Sequence, residues 1–361
     1  MGKLKKIPDN ADALILRPLP LVMTALAILA VALAVVPWHA GRKQAPKTGP
    51  DFRFAHDLRD DYWGYRHAAG KVCKDHRSVM IGDSVIWGMY VDNHNTIPAL
   101  LNRRFGGNAF GNLAVDGLHP VAMETLIRRY GQKIRNKRVY LYWNPLWMNT
   151  PLYDLSGEKD FSINHPRLLP QFDRQMKSYR ASLGDRIGAF LDLHVEFRAL
   201  LHHCRTAFLG NDDFKTSIAK HPAENPFARC RSDFDAGERA KNSNSNVTWK
   251  QAGIAKQDWP FVSPDQSRQW QSFRRVITLL ERRGNRVCVL LGTLNPHMQT
   301  PESLERCRKL RAAVAAELAA NGIEYIDLPE LPSEEYADAS HPLASGYRRL
   351  ADFIFKSITE Q

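Results

Sequence analysis

Cysteine is scarce in this chain. Its 361 residues include five cysteines, at positions 73, 204, 230, 288 and 307. No two of them form a C-x-x-C pair, so a zinc site built from cysteines is not expected. Cys288 lies in the apolar run from Val287 to Leu291 and is interpreted as a small core residue. Cys204 and Cys230 flank a loop-rich stretch and could form a disulfide in an oxidising compartment, while the odd count leaves at least one thiol unpaired.

Signatures of nucleic-acid and metal binding are also missing. The chain has no zinc-ligand spacing, no RNA-binding motif and no concentrated basic helix. Its formal net charge of +12 is therefore interpreted as Lys and Arg scattered over solvated faces, and no nucleic-acid partner is expected. The histidines at 165, 202, 203 and 221 have no metal-ligand spacing and are interpreted as loop or surface residues. Neither a metal nor another cofactor is predicted.

Charge is absent from the segment between Leu19 and Trp38. Twenty helical residues span about 30 Å, which is the thickness of the bilayer core. This length favours one uncleaved membrane anchor, although the small-residue run from Ala30 to Ala34 leaves a cleaved signal peptide as the alternative. Basic residues flank both ends and lean towards a cytoplasmic N-terminus. Residues 1–18 are then cytoplasmic, residues 19–38 span the membrane, and the rest lies in the periplasm or at the cell surface.

Beyond this segment, short apolar runs alternate with helical patterns. Residues 39–76 are interpreted as a linker and lead-in, and residues 77–358 as one domain. Strands are predicted at 78–81, 112–115, 138–143, 287–291 and 323–327, and helices at 95–105, 121–134, 267–283, 304–321 and 343–358. The stretch from about 149 to 265 has no repeating strand pattern and is interpreted as a partly helical insertion or lid.

Strands that alternate with helices indicate β-α-β units and a parallel sheet. In such sheets the functional site lies beyond the carboxyl ends of the strands. Ser84, Gly117 and Asn144 each follow a predicted strand. We therefore expect one edge of the sheet to bring these three residues together.

Two short motifs at opposite ends of this pattern carry the residue types of a nucleophilic site. Gly82-Asp83-Ser84 follows the first predicted strand, and Asp338-x-x-His341 precedes the last predicted helix. A serine hydroxyl needs a base to take its proton, and that base needs a carboxylate to orient it. Gly-Asp-Ser alone is common, and Asp-x-x-His alone is often a helix cap. Their occurrence together, in this order, favours Ser84 as nucleophile, His341 as base and Asp338 as the orienting acid.

Four blocks of residues 77–358 resemble the SGNH or GDSL hydrolase superfamily. They are Gly82-Asp83-Ser84, Asn112 to Gly117, Asn144 and Asp338-x-x-His341. The resemblance implies a three-layer α/β/α flavodoxin-like fold and the catalytic roles given above. It also implies an oxyanion hole made by the backbone N–H groups of Ser84 and Gly117 and by the Asn144 side chain. The third block reads Tyr142-Trp143-Asn144-Pro145 where the family has Gly-x-Asn-Asp, which indicates a divergent, membrane-anchored branch.

Three residues beside these blocks are candidates for the pocket. Asp83 is expected to brace the nucleophile turn without taking part in the chemistry. His119 and Trp147 are candidates for the pocket lining. For Gly117 and Asn144 the alternatives to an oxyanion role are an ordinary turn glycine and a polar residue that ends a strand.

The expected function is serine-dependent hydrolysis of a carboxylic ester. The substrate class is a small acyl group, such as acetyl, on an extracytoplasmic glycan or another ester. The alternative is a membrane-anchored O-acyltransferase that modifies an exported polysaccharide or wall polymer with the same triad. A non-catalytic glycan-binding protein on a retired hydrolase fold is less favoured, because all three triad residues are present. The oligomeric state is not predicted.

Overall fold

The computed structural model divides the chain into two compact units, Met1–Lys43 and Gln44–Gln361. The structure describes residues 20, 22–31, 35, 48–56, 59–209, 212, 214–220, 222 and 247–360. In the first unit the described residues are helical. Among all described residues, no helix has the length and apolar character needed to cross a bilayer. The predicted cytoplasmic segment 1–18 and part of the predicted anchor 19–38 lie outside the described residues.

The second unit is built on a sheet of five parallel strands. The strands are β1 (Ser78–Ile81), β2 (Phe110–Asn112), β3 (Arg138–Trp143), β4 (Arg286–Leu291) and β5 (Glu324–Asp327). Their order across the sheet is β2-β1-β3-β4-β5, and every neighbouring pair is parallel. The predicted α/β fold with about five parallel strands is confirmed.

Helices connect the strands, and several begin with a side-chain cap. The helices are α1 (Tyr62–Asp75), α2 (Ser84–Trp87), α3 (Ile97–Phe105), α4 (Pro120–Arg129), α5 (Leu183–His194), α6 (Glu196–Leu209), α7 (Phe214–Lys220), α8 (Arg268–Glu281), α9 (Pro301–Ala320) and α10 (Ala344–Thr359). Thr96, Ser267 and Thr300 each accept a hydrogen bond from a backbone N–H in the first turn of the helix they precede. Such caps satisfy donors that the helix itself leaves unpaired.

Two hydrophobic cores lie on the two faces of the sheet, because successive strand side chains point to opposite faces. In β3, Val139 and Leu141 belong to the first core, whereas Tyr140 and Tyr142 belong to the second. The first core contains residues of α1, α4 and α8, and the second contains residues of α3 and α10. The sheet is therefore covered on both faces. The edge formed by the carboxyl ends of its strands is where a functional site is expected.

The predicted lead-in contributes to the first core. Helix α1 lies within residues 39–76 and buries Tyr65 and Val72, and Phe52 is buried ahead of it. Gly64 and Gly70 lie within α1, and glycine lowers intrinsic helix propensity, so the sequence pattern for a helix is weak there. The folded unit thus extends to the N-terminal side of the predicted domain start at residue 77.

The stretch predicted as an insertion, 149–265, is partly helical. It holds α5, α6 and α7, and a small hydrophobic cluster joins it to α4 through Val121. Its two ends lie side by side, because the N–H groups of Phe261 and Val262 donate to the carbonyls of Asn149 and Met148. Cys230 lies outside the described residues, so its pairing with Cys204 stays a prediction.

Candidate active site

The turn that carries the predicted nucleophile, Gly82-Asp83-Ser84 (the nucleophile turn), follows β1 directly. Asp83 caps α2 by accepting a hydrogen bond from the Val85 N–H at 3.0 Å, and Ser84 is the first residue of that helix. A Cβ on Gly82 would come within 2.8 Å of the Ile86 side chain and 2.9 Å of the Tyr142 side chain. Glycine is therefore required where the chain leaves the strand, and the turn holds Ser84 at the carboxyl edge of the sheet.

The loop between β5 and α10 brings the second motif to Ser84. The Ser84 hydroxyl lies 2.7 Å from His341 Nε2, and His341 Nδ1 lies 2.7 Å from Asp338 Oδ2. Asp338 Oδ1 also accepts the backbone N–H groups of Ser340 and His341, each at 2.9 Å. The structure thus places the three predicted catalytic residues in one chain of hydrogen bonds.

Electrostatics strengthens the His341–Asp338 pair. Burial alone would raise the pKa of Asp338, but the charge of His341 and the hydrogen bonds from its ring and two backbone N–H groups lower it to about 2. Burial opposes protonation of His341, yet the Asp338 carboxylate raises the pKa of His341 above its ordinary value, with smaller effects from Asp83 and Asp116. Asp338 is therefore ionised near neutral pH and stabilises a proton on His341.

Asn144 lies at the end of β3, and Asp83 holds its side chain. The Asn144 amide donates to Asp83 Oδ2 at 2.8 Å, and Trp147 Nε1 donates to the same oxygen at 3.0 Å. Asn144 Oδ1 accepts the Leu146 N–H at 3.0 Å and caps the short 3₁₀ helix that follows. An amide nitrogen carries two hydrogens, so the bond to Asp83 leaves one for another acceptor.

The three predicted pocket residues are all buried. Asp83, His119 and Trp147 are 2%, 0% and 5% exposed. His119 caps α4, and its ring nitrogens lie 3.3 Å from Gln269 Oε1 and 3.2 Å from the Asn164 carbonyl. Burial lowers the pKa of His119 to about 3, so the ring is neutral near neutral pH. His119 therefore joins helix α4 to the insertion and presents little surface to a substrate.

Gly117 lies in the loop after β2, beside the nucleophile turn. The Val115 N–H donates to the Gly82 carbonyl at 3.1 Å, which holds this loop against the turn. Gly117 has φ of +71°, and a Cβ there would meet the Asn164 side-chain nitrogen at 2.5 Å. Both the backbone conformation and the neighbour therefore require glycine.

The insertion and the lead-in both reach this loop. His165 Nε2 donates to the Asp116 carbonyl at 2.8 Å, and its Nδ1 lies 3.0 Å from the Tyr62 hydroxyl. The Asp116 carboxylate contacts Arg59 Nη1 and His56 Nε2, each at 3.3 Å. Two of the histidines interpreted as loop or surface residues are buried: His165 lies in a loop but is 3% exposed, and His203 lies in α6 and is 1% exposed.

Several residues around the site carry no sequence signal. Tyr90 donates to Asp338 Oδ2 at 3.1 Å, although it belongs to the turn after α2. Asn164 and His165 reach the β2 loop from the insertion, and Arg59 reaches it from the lead-in. These contacts join segments that are distant in the chain, so neither periodicity nor motif spacing could identify them.

Comparison with known proteins gives no family assignment. A scan against protein-family models and a search of curated proteins find no match to this chain. Within the described part of the chain, no group of three or more His, Cys, Asp or Glu side chains could hold a metal ion. The functional conclusion is therefore drawn from the arrangement of Ser84, His341 and Asp338.

Proposed function

We propose that this protein is a serine-dependent carboxylester hydrolase that removes small acyl groups from an extracytoplasmic glycan or another ester. One observation carries the proposal: Ser84, His341 and Asp338 form a continuous hydrogen-bonded chain with two links of 2.7 Å. This is the arrangement that activates a hydroxyl nucleophile. It also speaks against the non-catalytic alternative, because a retired site has no need for an aligned base.

The proposed reaction proceeds through an acyl-enzyme. Ser84 Oγ attacks the ester carbonyl carbon while His341 Nε2 takes the hydroxyl proton. His341 then returns that proton to the leaving alcohol as the C–O bond breaks, which leaves the acyl group on Ser84. Water, deprotonated by His341, then attacks the acyl carbon. His341 returns that proton to Ser84 Oγ as the bond between Ser84 and the acyl group breaks, which releases the acid and restores the free serine. Asp338 keeps the Nδ1–H in place and stabilises the imidazolium in both steps.

For the oxyanion hole we propose the Ser84 and Gly117 backbone N–H groups and the second N–H of the Asn144 amide. Support comes from their positions after β1, β2 and β3, on one edge of the sheet. Removing one such donor costs about 3–4 kcal/mol of transition-state stabilisation. Asp83 orients the Asn144 amide by accepting one of its N–H groups at 2.8 Å.

We propose membership of a divergent branch of the SGNH or GDSL superfamily. The strand order β2-β1-β3-β4-β5 is the flavodoxin-like order, and cores on both faces of the sheet fit a three-layer α/β/α arrangement. Further support for this membership is that Gly82-Asp83-Ser84 follows β1 and the Asp338-x-x-His341 loop lies between β5 and α10.

The second candidate is an O-acyltransferase. A transferase must keep water from its acyl-enzyme, so that a sugar hydroxyl attacks in place of water. The specific observation in its favour is that Asn164 and His165 of the insertion contact Gly117 and Asp116. The insertion thus forms one wall of the site, as a cover over the acyl-enzyme would.

The membrane anchor and the extracytoplasmic location remain part of the proposal. They depend on the uncharged segment from Leu19 to Trp38. Its described residues 20, 22–31 and 35 are helical, and apolar side chains such as Leu26 and Ile28 are exposed. A helix of this kind fits an apolar environment.

The test is an ester-cleavage assay of the full-length protein in detergent with p-nitrophenyl acetate. Reactions run with and without oligosaccharide acceptors, and mass spectrometry identifies acetate or acetylated sugar. Ser84→Ala is the control for contaminating esterases. Acetate release that depends on Ser84 supports the hydrolase, and acetylated sugar as the main product supports the transferase. Turnover that is equal in the Ser84→Ala protein would refute both.

A further inference from the structure

The turn that follows the nucleophile helix has an unusual backbone. Helix α2 ends at Trp87, the next residue, Gly88, has φ of +98°, and Tyr90 has φ of +66°. A bulky residue rarely adopts this left-handed conformation, and such residues cluster at functional sites. The conformation of Tyr90 therefore indicates a functional role for its side chain.

The side chain of Tyr90 contacts both members of the acid–base pair. Its hydroxyl donates to Asp338 Oδ2 at 3.1 Å, and this is the oxygen that lies 2.7 Å from His341 Nδ1. Its ring meets the His341 ring edge-on, with centroids 5.6 Å apart and an interplanar angle of 79°. Tyr90 thus links the nucleophile turn to Asp338 by a route separate from the Ser84–His341 bond.

Buried Arg53 of the lead-in holds this turn in place. Its Nη1 donates to the carbonyls of Gly88 at 2.8 Å and Val91 at 3.0 Å, on either side of Tyr90. Its guanidinium also stacks on the Trp87 ring at 4.2 Å. The N–H groups of Gly88 and Met89 both donate to the Ser84 carbonyl. The left-handed conformation at Tyr90 is therefore maintained by contacts on both sides.

We propose that Tyr90 is a positioning residue of the reaction, which orients the Asp338 carboxylate and the His341 ring and tempers the basicity of His341. This role rests on the proposed function. A hydroxyl that donates to a carboxylate disperses part of its negative charge, so the imidazolium is stabilised less. The edge-on ring restricts rotation of the imidazole and keeps Nε2 directed at Ser84.

The Tyr90 hydroxyl stays a donor over the working pH range. Burial, the charge of Asp338 and the hydrogen bond to it raise the pKa of Tyr90 to about 12. The other titratable groups that act electrostatically on Tyr90, Asp338 or His341 come from several elements, and they are Asp83, Asp116 and Tyr347. Tyr90→Phe replaces none of these side chains, although it removes the electrostatic effect of the Tyr90 hydroxyl on Tyr347.

The experiment compares the full-length wild type with Tyr90→Phe, which keeps the ring and removes only the hydroxyl. Tyr179→Phe is the matched control, because Tyr179 of the insertion loses an equivalent bond to Gln171 Oε1 of 2.9 Å. The rate at which a fluorophosphonate labels Ser84 is followed against pH. The His341 ring is titrated by NMR with isotope-labelled histidine and assigned with His341→Gln.

In Tyr90→Phe we expect labelling to slow by about tenfold. This loss is only part of the rate enhancement that general-base catalysis contributes. The titration midpoint of His341 should move upward, because Asp338 then stabilises the imidazolium more fully. Tyr179→Phe should match the wild type in both measurements. Failure of the wild type to be labelled at Ser84 would count against the proposed function. An unshifted His341 midpoint in Tyr90→Phe would overturn the positioning role, whatever the labelling shows.

Discussion

At the scale of single residues, Asp83 connects three parts of the site although it takes no part in the proposed chemistry. Its carboxylate accepts hydrogen bonds from the Val85 backbone, the Asn144 amide and the Trp147 indole. Burial raises the pKa of Asp83 above its ordinary value against the effect of these donors. The nucleophile turn and the third block are therefore aligned by one buried group.

Replacement of the nucleophile or the base should abolish most turnover. We expect Ser84→Ala and His341→Ala each to lower kcat at least about ten-thousandfold, because triad members act as a unit. For the same reason the double variant should be no worse than either single variant. Steady-state kinetics with thermal unfolding as the folding control measures this. Losses that simply multiply in the double variant would show that the two residues act separately.

Asn144→Ala should lower kcat by about a hundredfold or more with a smaller change in KM, because an oxyanion donor acts mainly in the transition state. Trp147→Phe is the matched comparison, since it removes the other side-chain donor to Asp83 and no proposed oxyanion donor. Trp147→Phe should lower kcat much less than Asn144→Ala does. Equal losses of kcat in the two variants would mean that Asn144 acts by holding Asp83 and not as an oxyanion donor.

The pH dependence follows from the sign of the His341 shift. The neutral ring is the base, and its pKa is raised. Activity should therefore be low in acid and rise with pH through a midpoint above the ordinary histidine value of about 6.5. Any stability that the protein gains from protonated His341 has the opposite pH dependence. It is present in acid and is lost as the pH rises through the same midpoint. A kcat/KM profile tests this, and Asp338→Asn should move the midpoint down. A wild-type midpoint below the ordinary value would contradict the assignment.

At the scale of elements, the loop after β2 offers a test of the contact with the insertion. Gly117→Ala meets both a left-handed backbone and the Asn164 side chain, whereas Gly106→Ala meets only the backbone, with φ of +74° and no atom within 4 Å. We expect Gly106→Ala to lower the free energy of unfolding by about 1–3 kcal/mol, because φ of 74° with ψ of 131° lies in a region that residues with a Cβ rarely adopt. Gly117→Ala should lower it by about 1–3 kcal/mol more and reduce turnover.

Adding Asn164→Gly to Gly117→Ala should restore part of both losses, because it removes the crowded side chain. Denaturant titration and steady-state kinetics measure these effects. The proteins compared are the wild type, Gly106→Ala, Gly117→Ala and the double variant. Equal destabilisation in Gly106→Ala and Gly117→Ala, with no rescue by Asn164→Gly, would mean that the insertion does not press on this loop.

Elements with a strong local pattern were the predictable ones. β1 and β3 have the predicted bounds, since each is a buried apolar run ended by a glycine or an asparagine. The pattern predicts β2 at 112–115, whereas the strand lies at Phe110–Asn112. The chain turns at Asn112, because its side chain accepts the Ala114 N–H and donates to the Ile86 carbonyl. A one-dimensional pattern does not contain that contact.

The same reasoning separates the site residues. Ser84, Asp338 and His341 belong to motifs whose spacing is local, so the sequence could identify them. Tyr90 and Asn164 face the site only because the turn after α2 and the insertion pack against other segments. Their roles could be found only once those segments had been placed.

At the scale of the whole molecule, the N-terminal segment should determine location. A chain that begins near residue 45 should be soluble without detergent, because it lacks the uncharged run and keeps the compact unit from Gln44 onward. Reporters fused after Gln361 test on which side of the membrane the large unit lies. Alkaline phosphatase should be active there, and green fluorescent protein should not fluoresce. The opposite pair of signals would reverse the topology and remove the support for an exported glycan as substrate.

The distance between Ser84 and His341 along the chain, 257 residues, has a consequence for biosynthesis. At about 5–20 residues per second, a ribosome makes the second residue roughly 13–50 s after the first. The base reaches the nucleophile only when the loop after β5, the last strand of the sheet, is in place. Under the proposed mechanism, a nascent chain or one truncated before His341 should therefore be inert, and catalytic activity in a preparation would report molecules that have completed the fold.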